Sequence, residues 1–179
     1  MTEAVTDWRQ QPLAALMRHI LDTHHRFCRE QGARVAGLFA DELAARGQDA
    51  ALLRLQGLFT QVQQALTVHM AKEEQVLFPM IGQLEQAAAG QAAAPRFSFG
   101  SIAAPIRMMD MEHREAERFL ARLKELSNGF TPAAADGARA RELYAALAAF
   151  DRDLAVHTGL EDGIVFPRAV ALEAQLNAA

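Results

Sequence analysis

Two stretches of this chain place metal-binding and proton-binding side chains at an unusual spacing. "HMAKEEQVLFPMI" (69–81) and "HTGLEDGIVFPRA" (157–169) each read His-x-x-x-Glu, then an aliphatic pair and Phe-Pro, 88 residues apart. A four-residue step puts His69 above Glu73, and His157 above Glu161, on one helical face. The offset reaches further. Leu55, Phe59, Val62 and Leu66 lead into His69, as Leu143, Leu147, Phe150 and Leu154 lead into His157. Leu21 and His25 recur as Met109 and His113. Each stripe is apolar before it turns polar, so these imidazoles and carboxylates point toward a core. A buried glutamate is costly unless it is paired or bound to a metal.

The chemistry that fits is cation binding. An isolated His/Glu pair is ordinary on an exposed helix, but that account does not explain four histidines and two glutamates at repeated core-facing positions. Structural zinc sites take four ligands, often thiolates, and magnesium and calcium prefer all-oxygen shells. Imidazole mixed with carboxylate suits iron, with manganese or zinc as alternatives. Six such side chains suit two metal ions, each with two histidines, bridged by Glu73 and Glu161 and completed by an oxo or hydroxo group. Such metals are about five-coordinate, which leaves a position open to a small molecule. The sequence leaves the pairing of histidines on each metal open.

Other charged residues stand near these positions. Ferritin-like di-iron bundles use Glu-x-x-His, which this chain lacks; it has Asp22-x-x-His25 and Asp110-x-x-His113 instead. Asp22 and Asp110 are candidates to orient those histidines or to join the metal, or else solvated or helix-pairing residues. Glu112 and Glu117 are read either as lining access to the site or as exposed charges. Cys28, three residues past His25, is read as a small buried hydrophobe.

Four helices must carry this set. The first is expected from Thr6 or Asp7 to about Ala45, with Pro12 in its first turns. The second runs from Ala50 to Leu84 with Asp49 as its cap, and Pro79 kinks it or ends its regular part. The third spans Ile102 or Pro105 to Leu126, and the fourth starts near Ala138, with a piece beyond Pro167 that continues or bends away. Gly90, Pro95, Gly100 and Pro105 punctuate the central connection. Val, Ile and Thr never cluster as strands require. The expected fold is all-α: an up-down four-helix bundle, one domain over 1–179 with a pseudo-repeat of about 7–90 and 95–179.

The remaining composition excludes several classes. Charge is nearly balanced, 22 acidic against 18 basic residues, and the signs are interspersed, so no basic stripe for nucleic acid exists. No apolar run approaches the roughly 18 residues of a membrane span, and no leader peptide is legible. A single cysteine forbids an internal disulfide and fits a reducing cytoplasm.

Taken together, "HILDTHHRFCRE", "HMAKEEQVLFPMI", "PIRMMDMEHREAE", "SNGFTP" and "DLAVHTGLEDGIVFPRA" resemble the hemerythrin-like (HHE cation-binding) family over roughly residues 13 to 170. The resemblance is strongest to its di-iron branch for repair of iron centres. It implies that His25, His69, Glu73, His113, His157 and Glu161 hold two non-haem irons, with the glutamates bridging. It favours His25 over His24, as the repeat does, and leaves His19 on a helix face. Three departures accompany it. The chain begins almost at the first helix, where that branch carries a cysteine-containing domain. "DG" follows Glu161 where that branch tends to have two asparagines. Glu117 stands where oxygen-binding hemerythrins place a fifth histidine, and those proteins use Asp rather than Glu on the last helix.

The implied function is a cytoplasmic di-iron protein of nitrosative and oxidative stress. It would repair iron–sulfur clusters by donating iron, or react with nitric oxide. The alternatives are an oxygen or nitric-oxide sensor or carrier without turnover, and a metal store. The expected partners are nitric oxide or oxygen as small ligands and iron–sulfur proteins, with neither nucleic acid nor membrane.

Overall fold

The computed structural model describes residues 6–47 and 49–178, and they are all-α. Four helices occupy residues 13–46, 50–88, Ala103–Leu126 and 138–178. The first packs along the fourth and the second along the third, while the ends of the second and fourth also meet. This is the expected bundle.

The first helix starts later than expected. Pro12 takes the cap position with an extended ψ of 145°, where its missing N–H costs no intrahelical bond. The Leu13 and Ala14 amides, which have no acceptor within the helix, donate to the Glu85 carboxylate from the second helix, at 2.6 and 2.8 Å. The start of the third helix uses the same device: Glu173 accepts from the Ser101 hydroxyl and the Ile102 amide. Orphan amides of a helix start thus meet a negative charge, and the two clamps are again 88 residues apart. Asp49 caps the second helix through the Ala51 and Leu52 amides, as its sequence predicts.

Both Phe-Pro prolines lie inside continuous helix, which corrects the expectation for Pro79. The irregularity precedes the proline: residues Glu73–Leu77 and Glu161–Val165 form π-helical turns. The Phe78 amide reaches back five residues to the Glu73 carbonyl, and Phe166 does the same to Glu161. In an α register the proline ring would strike the carbonyl four residues back, Gln75 or Gly163. The widened turn displaces that carbonyl, so the second helix continues to Ala88 and the fourth to Ala178. A third π turn, Ile20–His25, interrupts the first helix.

The core is divided into two apolar layers. Phe39, Phe59 and Phe150 anchor one, with the Phe59 and Phe150 rings edge-on at 5.3 Å. Leu16, Ile20, Leu77, Ile81 and Val165 belong to the other. His25, His69, Glu73, His113, His157 and Glu161 are all buried and occupy the level between the layers.

Candidate metal centre

Each helix delivers its part of this polar layer by periodicity. His25 comes from the π turn of the first helix and His113 from the middle of the third. His69/Glu73 and His157/Glu161 straddle the junctions where α-helix gives way to π turn. Such turns recur at functional sites, and here the turns of the second and fourth helices begin at the glutamate itself.

The six side chains form two overlapping groups. His25, Glu73, His157 and Glu161 each offer one ligand atom within 4.8 Å of the others, and so do His69, Glu73, His113 and Glu161. Both glutamates belong to both groups. The structure therefore brings together all six residues and supplies the pairing that the sequence leaves open. The first and fourth helices share one imidazole pair, with Nε2 atoms 3.1 Å apart, and the second and third share the other, at 2.9 Å.

Carboxylates behind three of the imidazoles fix how they face. His25 Nδ1 lies 2.7 Å from Glu74, His69 Nδ1 3.0 Å from Glu112, and His113 Nδ1 3.0 Å from Asp162. An ionised carboxylate only accepts, so each Nδ1 donates its proton outward and each Nε2 faces inward, where it offers a lone pair once it is deprotonated. Rings from the Phe-Pro phrases hold the planes: Phe78 stacks on His25 at 6.0 Å and Phe166 on His113 at 5.9 Å.

This donor set fits metal ions. Two imidazole Nε2 atoms facing each other at 2.9 Å need a proton or a metal ion between them. Both carboxylate oxygens of Glu73, and Oε2 of Glu161, are buried without a hydrogen-bond donor among the described residues. Buried charge of this kind needs a compensating cation. Protons are the competitors. Burial lowers the His25 imidazole, but Glu161 and Glu73 outweigh burial and set it at about 9. His113 is likewise lowered by burial but raised to about 10 by Asp162 and Glu161. Burial raises the Glu161 carboxyl, yet the charge of His157, with its contact to Oε1, and the His113 imidazole 3.2 Å from Oε2 hold it well below its ordinary range.

The structure decides between the alternatives that the sequence left for the neighbouring residues. Asp22 is exposed and Asp110 pairs with Arg114, so neither orients a histidine. Glu74 and Asp162 do that work, and they too stand 88 residues apart, a signal present in the sequence. Glu112 is half-buried with one oxygen on His69 and the other on Lys72. It also borders a groove of about 150 Å³ between the second and third helices that reaches His69. Glu117 is exposed. Burial, with Asp153 and Glu161, pushes the Cys28 thiol up to about 12, so it packs as a neutral hydrophobe in the core. His19 stacks on Trp8 at 4.5 Å, outside both groups.

A four-helix bundle with two histidine–carboxylate groups sharing two glutamates is the architecture of a cation-binding bundle protein. The comparisons with known proteins agree. The family model for the hemerythrin HHE cation binding domain matches residues 16–169, and the chain belongs to that family. It is 36% identical over 166 residues to the iron–sulfur cluster repair protein YtfE of Pectobacterium atrosepticum, covering 92% of this chain and 69% of that protein. It is 36% identical over 164 residues to the iron–sulfur cluster repair protein DnrN of Neisseria gonorrhoeae, covering 91% of this chain and 95% of that one. A YtfE of Escherichia coli is 34% identical over 176 residues. Among the described residues, no helix is long and apolar enough to cross a membrane.

Proposed function

We propose that His25, His69, Glu73, His113, His157 and Glu161 hold two iron ions, and that the chain serves iron–sulfur cluster repair under nitrosative or oxidative stress. The observation that carries the metal reading is the sharing of Glu73 and Glu161 by both groups, which suits a bridged pair rather than two separate sites. Iron is favoured over zinc because the set has no thiolate and mixes imidazole with carboxylate. The repair role rests on the likeness to the iron–sulfur cluster repair proteins YtfE and DnrN. Cytoplasmic location and iron–sulfur proteins as partners follow from that role.

Bound iron would supply a centre that cycles between ferrous and ferric states and has room for a small ligand. The chain's own residues set the conditions. Glu74, Glu112 and Asp162 fix three imidazoles in the ligating tautomer and raise their basicity. The two apolar layers exclude bulk water, and the groove beside His69 gives a diatomic molecule a way in. That groove is also the feature that favours the second reading, a nitric-oxide or oxygen sensor or carrier without turnover.

The test is anaerobic purification after iron-replete growth, metal counting, and incubation of the loaded protein with an iron–sulfur enzyme damaged by nitric oxide. Two irons per chain and recovery of the enzyme's activity beyond that given by equal free ferrous iron are expected. Reversible gas binding with no recovery would favour the sensor or carrier. Zinc alone, inert to nitric oxide and oxygen, would overturn the iron reading.

A further inference from the structure

The internal repeat breaks at one place in the centre. Glu112, which holds Nδ1 of His69, corresponds 88 residues earlier to His24, and His69 corresponds to His157. His24 does not hold Nδ1 of His157. Its ring lies parallel to the His157 ring, 8° from coplanar with centroids 5.7 Å apart, and its own Nδ1 is 3.0 Å from Asp153 Oδ1. His157 Nδ1 is buried with no hydrogen-bond partner among the described residues, and so is Asp153 Oδ2. Asp153 lies one helical turn before His157, and its repeat counterpart is Ala65, so the second helix has nothing equivalent.

Three imidazoles are therefore pinned from behind, and one is not. Any metal exchange requires a ligand to let go, and a ring without an outer hydrogen bond has the least to lose by rotating. The spare oxygen of Asp153, one turn earlier on the same helix, is free to accept the Nδ1 proton of a rotated His157. Beyond it, His24 meets His19 edge-on at 5.5 Å, and His19 is half-buried. Imidazole and carboxylate donors thus run from the surface to the centre on this side. The backs of His25 and His69 are guarded instead by the cations Arg29 and Lys72, each on the orienting carboxylate, and these repel an incoming divalent ion.

We propose that His157 is the labile ligand of the centre, and that the metal held by His25 and His157 enters and leaves past Asp153, His24 and His19. This deepens the proposed function and rests on its metal reading. The two metals are then kinetically unequal: the one on His25 and His157 exchanges fast, and the one on His69 and His113 slowly. Donation of a single iron per cycle is the use such inequality serves.

The experiment is anaerobic stopped-flow transfer of ferrous iron from the loaded, full-length protein to a chromophoric chelator. The wild-type chain is expected to give two phases of equal amplitude. His24→Glu restores the carboxylate that the other half of the repeat carries, and should slow the fast phase about tenfold with two irons still bound. Glu112→Ala unpins His69 and should accelerate the slow phase by a similar factor, so the proposal does not depend on one variant folding. A single wild-type phase, or phases unmoved by both substitutions, overturns the route while leaving the metal reading intact. A wild-type chain that takes up no iron removes the reading itself.

Discussion

Glu74 and Asp162 orient different imidazoles by the same geometry, so their removal should act on different metals. Glu74 serves His25, in the group with His157, and Asp162 serves His113, in the group with His69. Loss of such an outer carboxylate weakens metal affinity by about 10- to 100-fold, or about 1.4–2.8 kcal/mol. Both carboxylates are partly exposed, 28% and 38%, and water screens part of their charge, so the lower end applies to Glu74→Gln and Asp162→Asn. The amide still accepts the Nδ1 proton, and the change isolates the charge. Alanine at either position removes the acceptor as well and belongs nearer the upper end. The assay is competition with a calibrated chelator, followed to equilibrium by metal counting. Each single variant should weaken one of two metals about tenfold, and the double variant should weaken both. Asp22→Ala should change neither. Equal weakening of both metals by each single variant would refute the pairing of the first helix with the fourth and the second with the third.

Metal uptake by the stripped chain at pH 7 should release protons, about two of them from His25 and His113, which titrate at about 9 and 10 before metal binds; an indicator dye in weak buffer reads this directly. For the stripped chain, those raised values contribute stability in full below pH 6.5 that is lost as pH rises through 9 to 10. The depressed Glu161 works oppositely, its contribution being lost as pH falls below its ordinary range. Thermal melts should therefore fall off on both sides of neutrality, and metal loading should flatten the alkaline limb. Phe166→Ala removes a buried ring stacked on His113 and should cost about 3–5 kcal/mol by chemical denaturation, with metal loss first from the His69–His113 pair. Glu85→Ala and Glu173→Ala each expose two clamped donors at a helix start and should each cost about 1–2 kcal/mol, without altering metal content.

The bundle and the six central residues were legible because both rest on periodicity. A stripe such as Leu55, Phe59, Val62, Leu66, His69 and Glu73 states its helix and its buried face at once. Two kinds of feature were not. The π turns have no sequence signature of their own, so Pro79 read as a kink or stop when the chain accommodates it by widening the preceding turn. The carboxylates behind the histidines required knowing which helices are neighbours: Glu74 reaches His25 across a helix pair, whereas Asp22, on the same helix as His25 and one turn away, faces solvent. Local spacing could only offer Asp22 as a candidate, because second helices, not sequence neighbours, stand behind an inward-facing imidazole.

The internal repeat also explains why the centre sits where it does. Duplicated hairpins related by 88 residues bring like residues to one level from opposite sides: His25 with His113, Glu73 with Glu161, Phe78 with Phe166, and Glu85 with Glu173. One half alone presents two imidazoles and one carboxylate to the core. That set neither completes a metal's ligands nor neutralises its own buried charge. Pairing the halves supplies two sets at once, and each glutamate then lies against imidazoles of both groups. Symmetry of this kind favours two equal metals. The exchange of Glu112 for His24, and of Ala65 for Asp153, is what makes the surroundings of the two unequal, and it does so behind the ligands, where the central set is left untouched.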